Sequence, residues 1–137
     1  MAADSSERQV DERQVEVLRA ELERRRAVLL QEIRDELLQS DDEHYADLAE
    51  RVHDVADESV ADLLSDVELA VIDRHVQEVL DIERALQRIA MGSYGICVDC
   101  SGPIDYRRLQ AYPTASRCRD CQAHYEQTHA GAPLPRL

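Results

Sequence analysis

Four cysteines in the C-terminal third of the chain form the pattern C-x2-C-x17-C-x2-C, at Cys97, Cys100, Cys118 and Cys121. Two residues between the cysteines of a pair allow both sulfurs to face one point, and two such turns can surround a tetrahedral ion at about 2.3 Å per sulfur. The spacing is therefore typical of a zinc site. Because protein ligands fill all four positions, we expect one structural Zn²⁺ per chain and no catalytic metal.

The sequence leaves two other interpretations of these cysteines open. The four thiols could be reduced and free of metal, or each C-x2-C pair could form a disulfide under oxidation and release the zinc ion. Such a release would make the segment a redox-responsive switch. His124 and His129 lie nearby in sequence, and we expect both to be surface residues because four cysteines already complete the site.

Carboxylates are the second group with chemical potential, and they are concentrated in one quarter of the chain. Residues 35–68 contain 13 acidic residues and one arginine, a net charge of −12 out of −13 for the whole chain. This balance argues against duplex DNA as the main partner, since phosphate binding requires a positive surface. The heptapeptide HDVADES, residues 53–59, lies at the centre of the segment. Its aspartates, Asp54 and Asp57, are suited to a turn or a helix start.

Helical patterns flank this heptapeptide within an opening stretch of 91 residues that has no glycine or proline. The first pattern runs from about Glu7 to His53 and the second from about Glu58 to Met91. Apolar residues recur in both at coiled-coil spacing, and a single apolar stripe must be buried against a partner. We therefore expect an antiparallel hairpin. One continuous helix that dimerises with a second chain is the alternative.

The predicted stripe of each helix is a set of aliphatic residues, and poorer packing or some fraying is predicted after Leu38. The first stripe comprises Val15, Leu18, Leu22, Leu29, Ile33 and Leu37, and the second comprises Leu64, Val67, Val71, Val76, Val79, Leu86 and Ile89. The second helix is predicted to end at Gly92, because glycine is the preferred residue just beyond a helix C-terminus.

The predicted fold is mainly α: a long antiparallel helical hairpin, which is an intramolecular coiled coil, followed by a small four-cysteine zinc finger and a short terminal helix. We expect a flexible N-terminus over 1–9, the hairpin over 10–91 with its acidic tip near 54–59, the zinc finger and C-terminal helix over 92–129, and a flexible tail over 130–137. No apolar leader or membrane-length apolar run occurs. We therefore expect a cytoplasmic protein without a membrane partner, and separately we expect a monomer.

The finger segment resembles the DksA/TraR family of bacterial transcription factors. The matching residues are Tyr94, Gly95, Ile96, Cys97, Cys100, Ile104, Arg107, Arg108, Leu109, Ala111, Pro113, Thr114, Ala115, Cys118, Cys121 and Gln122. Counting back from Cys97 without a gap, the family's tip motif D-x-x-D-x-A falls on residues 54–59. Asp54 and Asp57 match this motif, and Ser59 replaces the usual alanine. The resemblance covers roughly residues 15–128.

This resemblance implies a function that composition could not indicate. Family members bind no specific DNA sequence; they insert the hairpin into the secondary channel of RNA polymerase and destabilise promoter open complexes, as in the stringent response. By this resemblance the polymerase-binding tip comprises Asp54, Asp57, Glu58 and Ser59. Arg74 falls where the family has a basic residue that contacts the channel rim.

Family members often act together with the alarmone ppGpp, which they bind through basic residues. At those positions this chain has Asp81, Tyr112 and Gln122. The resemblance therefore implies a weak response to ppGpp through that site, or none.

Other classes of function are less well supported by the sequence. A redox-responsive zinc switch is compatible with the cysteines. A zinc-ribbon nucleic-acid binder would need a basic stripe with aromatic platforms, whereas residues 92–137 carry four acids and five arginines. An enzyme is not expected, because the sequence offers neither a nucleophile–base pair nor an open metal position.

Overall fold

The computed structural model describes residues 9–40, 43–53, 63–64 and 70–129. The helices in these ranges are α1 (Glu12–Leu38), α2 (Glu43–His53), α3 (Ala70–Met91), α4 (Tyr106–Ala111) and α5 (Arg119–Thr128). The predicted tip residues Asp54, Asp57, Glu58 and Ser59 lie outside the described ranges. None of the helices in these ranges has the combination of length and apolar character needed to cross a membrane.

The chain divides into two compact units. The first unit comprises Met1–Leu22 and Arg84–Leu137, and the second comprises Glu23–Glu83. Both α1 and α3 contribute residues to each unit. All four cysteines belong to the first unit, together with the adjoining ends of the two long helices.

A capping box marks the start of α1. The Gln14 amide donates to Asp11 Oδ1 at 2.7 Å, and the Asp11 amide donates to Gln14 Oε1 at 3.0 Å. These two bonds satisfy amides that a helix start leaves without partners. The helix therefore begins at Glu12, five residues after the predicted start at Glu7.

The predicted stripe of α1 is almost entirely buried. Leu18, Leu22, Leu29, Ile33 and Leu37 are each at most 2% exposed, whereas Val15 is half-buried. Val28 and Leu38 are 44% and 49% exposed. The helix thus has one apolar face with coiled-coil spacing, as its sequence predicts.

Ion pairs within the second unit establish that α1 and α3 are antiparallel. Arg25 Nε lies 2.7 Å from Glu78 Oε2, and Arg26 Nη2 lies 2.8 Å from Glu83 Oε2. Further along α1, Glu32 Oε2 lies 3.4 Å from His75 Nε2, which belongs to an earlier turn of α3. An intramolecular hairpin is confirmed, and the alternative of one continuous dimerising helix is wrong.

The buried face of α3 differs in part from the predicted stripe. Val79 is buried, but Val76, Leu86 and Ile89 are only half-buried. Other apolar positions complete the core: Ile72, Ile82 and Ala85, each at most 1% exposed. Apolar residues occupy a wide arc of this helix, so periodicity alone does not select which of them point inwards. Leu64 is buried as predicted, and the side chains of Val67 and Val71 lie outside the description.

The single helix predicted from Glu7 to His53 is interrupted near residue 40. The Gln39 amide still donates to Asp35, but the Ser40 amide donates three residues back to Leu37, at 3.2 Å. This tighter turn ends α1 where the apolar stripe thins and where a serine precedes two aspartates in the sequence. Side chains of these types compete for backbone hydrogen bonds, which disfavours a helix interior.

The end of α3 is a Schellman motif. The Ser93 amide donates to the Arg88 carbonyl at 2.9 Å, and the Gly92 amide donates to the Ile89 carbonyl at 3.2 Å. Gly92 has φ = 78°, a conformation that glycine adopts without a steric cost. The predicted helix end at Gly92 is confirmed.

Candidate zinc centre

The four cysteine sulfurs are brought together in one cluster. They all lie within 4.8 Å of one another, and Cys100 Sγ and Cys118 Sγ are 3.9 Å apart. A tetrahedron with Zn–S bonds of about 2.3 Å has sulfur–sulfur edges of about 3.8 Å. The cluster therefore has the size and the donor chemistry of a zinc site with four thiolate ligands.

The first knuckle, residues 96–103, positions Cys97 and Cys100. The Cys97 amide donates to the Gly102 carbonyl at 2.8 Å, and the Ser101 amide donates to the Cys97 carbonyl at 3.0 Å. Ser101 has φ = 62°, a left-handed conformation that turns the chain sharply. The Gly102 amide then lies 3.4 Å from Cys100 Sγ and donates towards it, so a backbone dipole stabilises negative charge on that sulfur.

The second knuckle, residues 116–122, uses a helix start to position the other two cysteines. Cys118 is the N-cap of α5, and its sulfur accepts a hydrogen bond from the Cys121 amide at 3.5 Å. Amides without helical partners and the helix dipole both favour a negatively charged group at this end. Cys121 lies in the first turn of the same helix.

Gly95 is the one glycine in this region whose missing side chain has a clear steric reason. It has φ = 83°, and a Cβ built on it would lie 2.7 Å from Val10 Cγ2. The residues that precede Cys97 are therefore held against the segment just before α1. The Ile104 amide, which donates to the Gly95 carbonyl at 2.8 Å, holds them from the other side.

The protonation of the thiols explains why this cluster requires a cation. Burial raises the pKa of Cys97, but hydrogen bonds from the amides of Cys100, Cys118 and Asp99 lower it to about 6. The pKa of Cys121 is raised, chiefly by its hydrogen bond with Cys118. Neighbouring sulfurs cannot all be anionic without a compensating charge. A divalent ion provides that charge, so its binding releases protons and weakens in acid.

The segment between the knuckles is fixed by polar side chains from α3 and the finger. The hydroxyl of Tyr94, which is buried, donates to the Pro113 carbonyl at 2.8 Å, and Arg88 Nη2 donates to the Thr114 carbonyl at 3.3 Å. Arg108 Nε donates to the Arg117 carbonyl at 2.9 Å. These bonds satisfy carbonyls just ahead of Cys118 and so fix the direction from which the second knuckle approaches the first.

Tyr94 is predicted to make stability fall at alkaline pH. Burial raises its pKa to about 12, above the ordinary value of about 10. The folded state therefore holds the phenolic proton longer, so this contribution is complete below pH of about 10 and is lost as pH rises through about 12. In a titration of tyrosinate absorbance, one of the five tyrosines should ionise last, and Tyr94→Phe should remove that component. Ionisation of all five together would contradict the prediction.

The other predicted site residues have different positions. Arg74 is exposed on α3, in the second unit. Of the residues at the family's ppGpp positions, Tyr112 is 58% exposed and Asp81 is half-buried. The side chain of Gln122 donates to Glu126 at 3.0 Å. His124 and His129 are exposed, as predicted.

Sequence reasoning missed the polar contacts that join the two knuckles. Arg117 Nε lies 2.7 Å from Asp99 Oδ2, although the two residues are 18 positions apart. The available signal was the matched position of the two residues: Arg117 lies directly before Cys118, and Asp99 lies directly before Cys100.

Comparisons with known proteins agree with this geometry. Residues 92–127 match the family of prokaryotic dksA/traR C4-type zinc fingers. The chain is 32% identical over 120 residues to the RNA polymerase-binding transcription factor DksA of Caulobacter vibrioides, covering 86% of this chain and 80% of that protein. It is 33% identical over 79 residues to the factor of the same name from Escherichia coli K12, covering 58% and 52% of the two chains.

Solved structures give the same assignment. Transcription factor DksA2 from Pseudomonas aeruginosa superimposes with a TM-score of 0.58 at 30% identity, covering 87% of this chain and 88% of that one. The DnaK suppressor protein from Agrobacterium tumefaciens gives 0.51 at 26% identity, with 80% and 92% covered. The relatives cover the helical hairpin as well as the finger. The chain therefore belongs to the DksA/TraR family of C4-type zinc-finger proteins, and it binds one structural zinc ion.

Proposed function

We propose that this protein binds RNA polymerase and regulates transcription initiation, without enzymatic activity of its own. The observation that carries the proposal is the similarity to the Caulobacter factor, because it extends over most of both chains and that relative is named as an RNA polymerase-binding transcription factor. In this role the protein acts in the cytoplasm, and Cys97, Cys100, Cys118 and Cys121 are the zinc ligands that stabilise the finger.

The finer mechanism follows from the family resemblance. The hairpin enters the secondary channel of the polymerase, and the tip residues Asp54, Asp57, Glu58 and Ser59 approach the catalytic centre to modulate promoter open complexes. The charge of this chain supports that direction of entry. Residues 35–68 carry a net charge of −12, and a catalytic centre that holds Mg²⁺ and basic residues attracts such a segment.

Arg74 has a separate role in this mechanism, as a contact with the rim of the channel. Its side chain is exposed, so a partner surface can reach it. Arginine is suited to such contacts because its planar guanidinium can form two parallel hydrogen bonds with a carboxylate. The protein acts as a monomer and needs no sequence-specific contact with DNA.

The decisive variant is Asp57→Asn, which removes one charge and retains the shape of the side chain. We expect polymerase binding to be largely unchanged and the effect on promoter open complexes to be lost. Binding is measured by competition for the polymerase, and the effect by in vitro transcription from one ribosomal and one amino-acid promoter. Asp47→Asn is the matched control, because Asp47 is an exposed aspartate of the same acidic segment, on α2.

Two outcomes would change this proposal. Equal loss of binding and of regulation in Asp57→Asn would make Asp57 a binding contact instead of the effector. No binding to polymerase by the unmodified protein would refute the function itself. The same reactions, run with and without ppGpp, test the expected weak or absent response. Strong synergy with ppGpp would show that other residues replace the missing basic positions.

A further inference from the structure

Three successive contacts join the two knuckles of the finger in parallel. The Val98 amide donates to the Ser116 carbonyl at 2.9 Å, and Arg117 Nε lies 2.7 Å from Asp99 Oδ2. At the next position along both segments, the sulfurs of Cys100 and Cys118 are 3.9 Å apart. The ion pair between Asp99 and Arg117 therefore lies directly beside two of the metal ligands, Cys100 and Cys118.

A second contact, with an aromatic ring, also holds the Arg117 side chain in place. The Cζ atom of its guanidinium lies 4.0 Å from the centroid of the Tyr125 ring, a favourable geometry for a cation over an aromatic face. Tyr125 in turn stacks on His129, with ring centroids 3.9 Å apart. The Arg117 side chain is only 24% exposed, and that of Asp99 is 45% exposed.

We infer that Asp99 and Arg117 form a clasp that slows the loss of zinc from the finger. Zinc leaves such a site in steps, and departure requires sulfurs of the two knuckles to separate. After the first Zn–S bond has broken and before the last one breaks, contacts that keep the two knuckles together favour re-formation of the broken Zn–S bonds. The Arg117 guanidinium is pre-organised, so little conformational freedom is lost when the pair forms. Both side chains are positioning residues, since the sulfurs alone bind the ion.

Two charge-removing variants distinguish a clasp from an effect of the net charge of the finger. Asp99→Asn makes the finger less negative, and Arg117→Gln makes it more negative. A clasp predicts faster zinc release in both variants, whereas an effect of net charge predicts shifts in opposite directions. The sequence also supplies matched controls within the second knuckle. Asp120 lies directly before Cys121, as Asp99 lies directly before Cys100. Arg119 lies on the other side of Cys118 from Arg117. Both Asp120 and Arg119 are exposed.

The experiment measures the rate at which the zinc-loaded full-length protein transfers its metal to an excess of a chromophoric chelator at constant pH. We expect release to be about two- to five-fold faster in Asp99→Asn and in Arg117→Gln, the range expected for a partly exposed ion pair. The double variant should be no faster than the faster single variant, because both remove the same interaction. The control variants Asp120→Asn and Arg119→Gln should release zinc at the native rate. The Asp99→Glu variant retains a carboxylate, so it should release zinc more slowly than Asp99→Asn.

Added salt and cobalt substitution provide readouts that a general loss of folding would not reproduce. High ionic strength should speed release from the native protein and leave the double variant nearly unchanged, since salt screens a partly exposed pair. The cobalt-loaded variants should have the absorption spectrum of the native site, because the four ligands are unchanged. The inference would be overturned by native zinc release rates in both single variants, or by release rates that shift in opposite directions in the two. It would also be overturned by equal effects in the control variants or by an altered cobalt spectrum.

Discussion

Replacement of Cys100 by alanine is expected to abolish the retention of zinc. Cys100 is the exposed member of the cluster, so its substitution removes a ligand while it removes little buried packing. Structural zinc stabilises zinc-finger peptides by about 10–16 kcal/mol at neutral pH. A site with three thiolates also has an open position that water or a competing chelator can occupy. Zinc content after dialysis against a chelator should therefore fall from stoichiometric to background.

Val98→Ala is the control for this substitution, because Val98 lies between the same two cysteines and its side chain is 55% exposed. It should retain zinc. The helical circular dichroism of the Cys100→Ala protein should persist in large part, since the buried residues Leu29, Ile33 and Leu37 belong to the second unit. Stoichiometric zinc in the Cys100→Ala protein after chelator dialysis would show that Cys100 is not a ligand.

Truncation of Leu29 to alanine is expected to destabilise the hairpin strongly. Leu29 is 0% exposed, and the removal of a buried leucine side chain costs about 2–5 kcal/mol of stability, because it leaves a cavity as well as losing apolar contacts. The measurement is denaturant unfolding followed by helical circular dichroism. The midpoint should move to a lower denaturant concentration with little change in slope.

The adjacent residue provides a matched control for Leu29→Ala. Val28 is 44% exposed, and Val28→Ala should change stability by no more than about 0.5 kcal/mol. Alanine also has the higher helix propensity of the two residues, which offsets the small loss of contacts. If the two variants were destabilised equally, the buried face of α1 would not be the one that contains Leu29.

Features that depend on nearby residues were predictable from the sequence. The C-x2-C spacing predicted a cluster of sulfurs, because each pair needs only a tight turn and both turns converge on one ion. Gly92 predicted the end of α3 for a similar reason, since the motif that ends the helix involves only its last turn and two further residues. The apolar face of α1 was predictable because Leu18, Leu22, Leu29, Ile33 and Leu37 recur at coiled-coil spacing.

Features that depend on the alignment of distant segments were not predictable. Nothing in the sequence near Arg25 indicates that Glu78 is its partner, since that pairing depends on how α3 is aligned with α1. The contact between Val10 and Gly95 has the same origin. The break near Ser40 was predicted only as poorer packing or some fraying, because helix propensity and turn propensity are closely balanced there.

Arg25 and Arg26 of the hairpin form ion pairs that also disfavour wrong alignments of its helices. A coiled-coil seam of similar aliphatic residues repeats every seven positions, so a slip of one heptad would still bury apolar side chains. In the observed register Arg25 pairs with Glu78 and Arg26 pairs with Glu83. A slip of seven residues in one direction would place Ala85 and Ala90 opposite these arginines. A slip in the other direction would place Val71 and Val76 there. Either slip would leave both arginines facing apolar residues. The two pairs therefore favour the observed register over a one-heptad slip, which the aliphatic seam alone would allow.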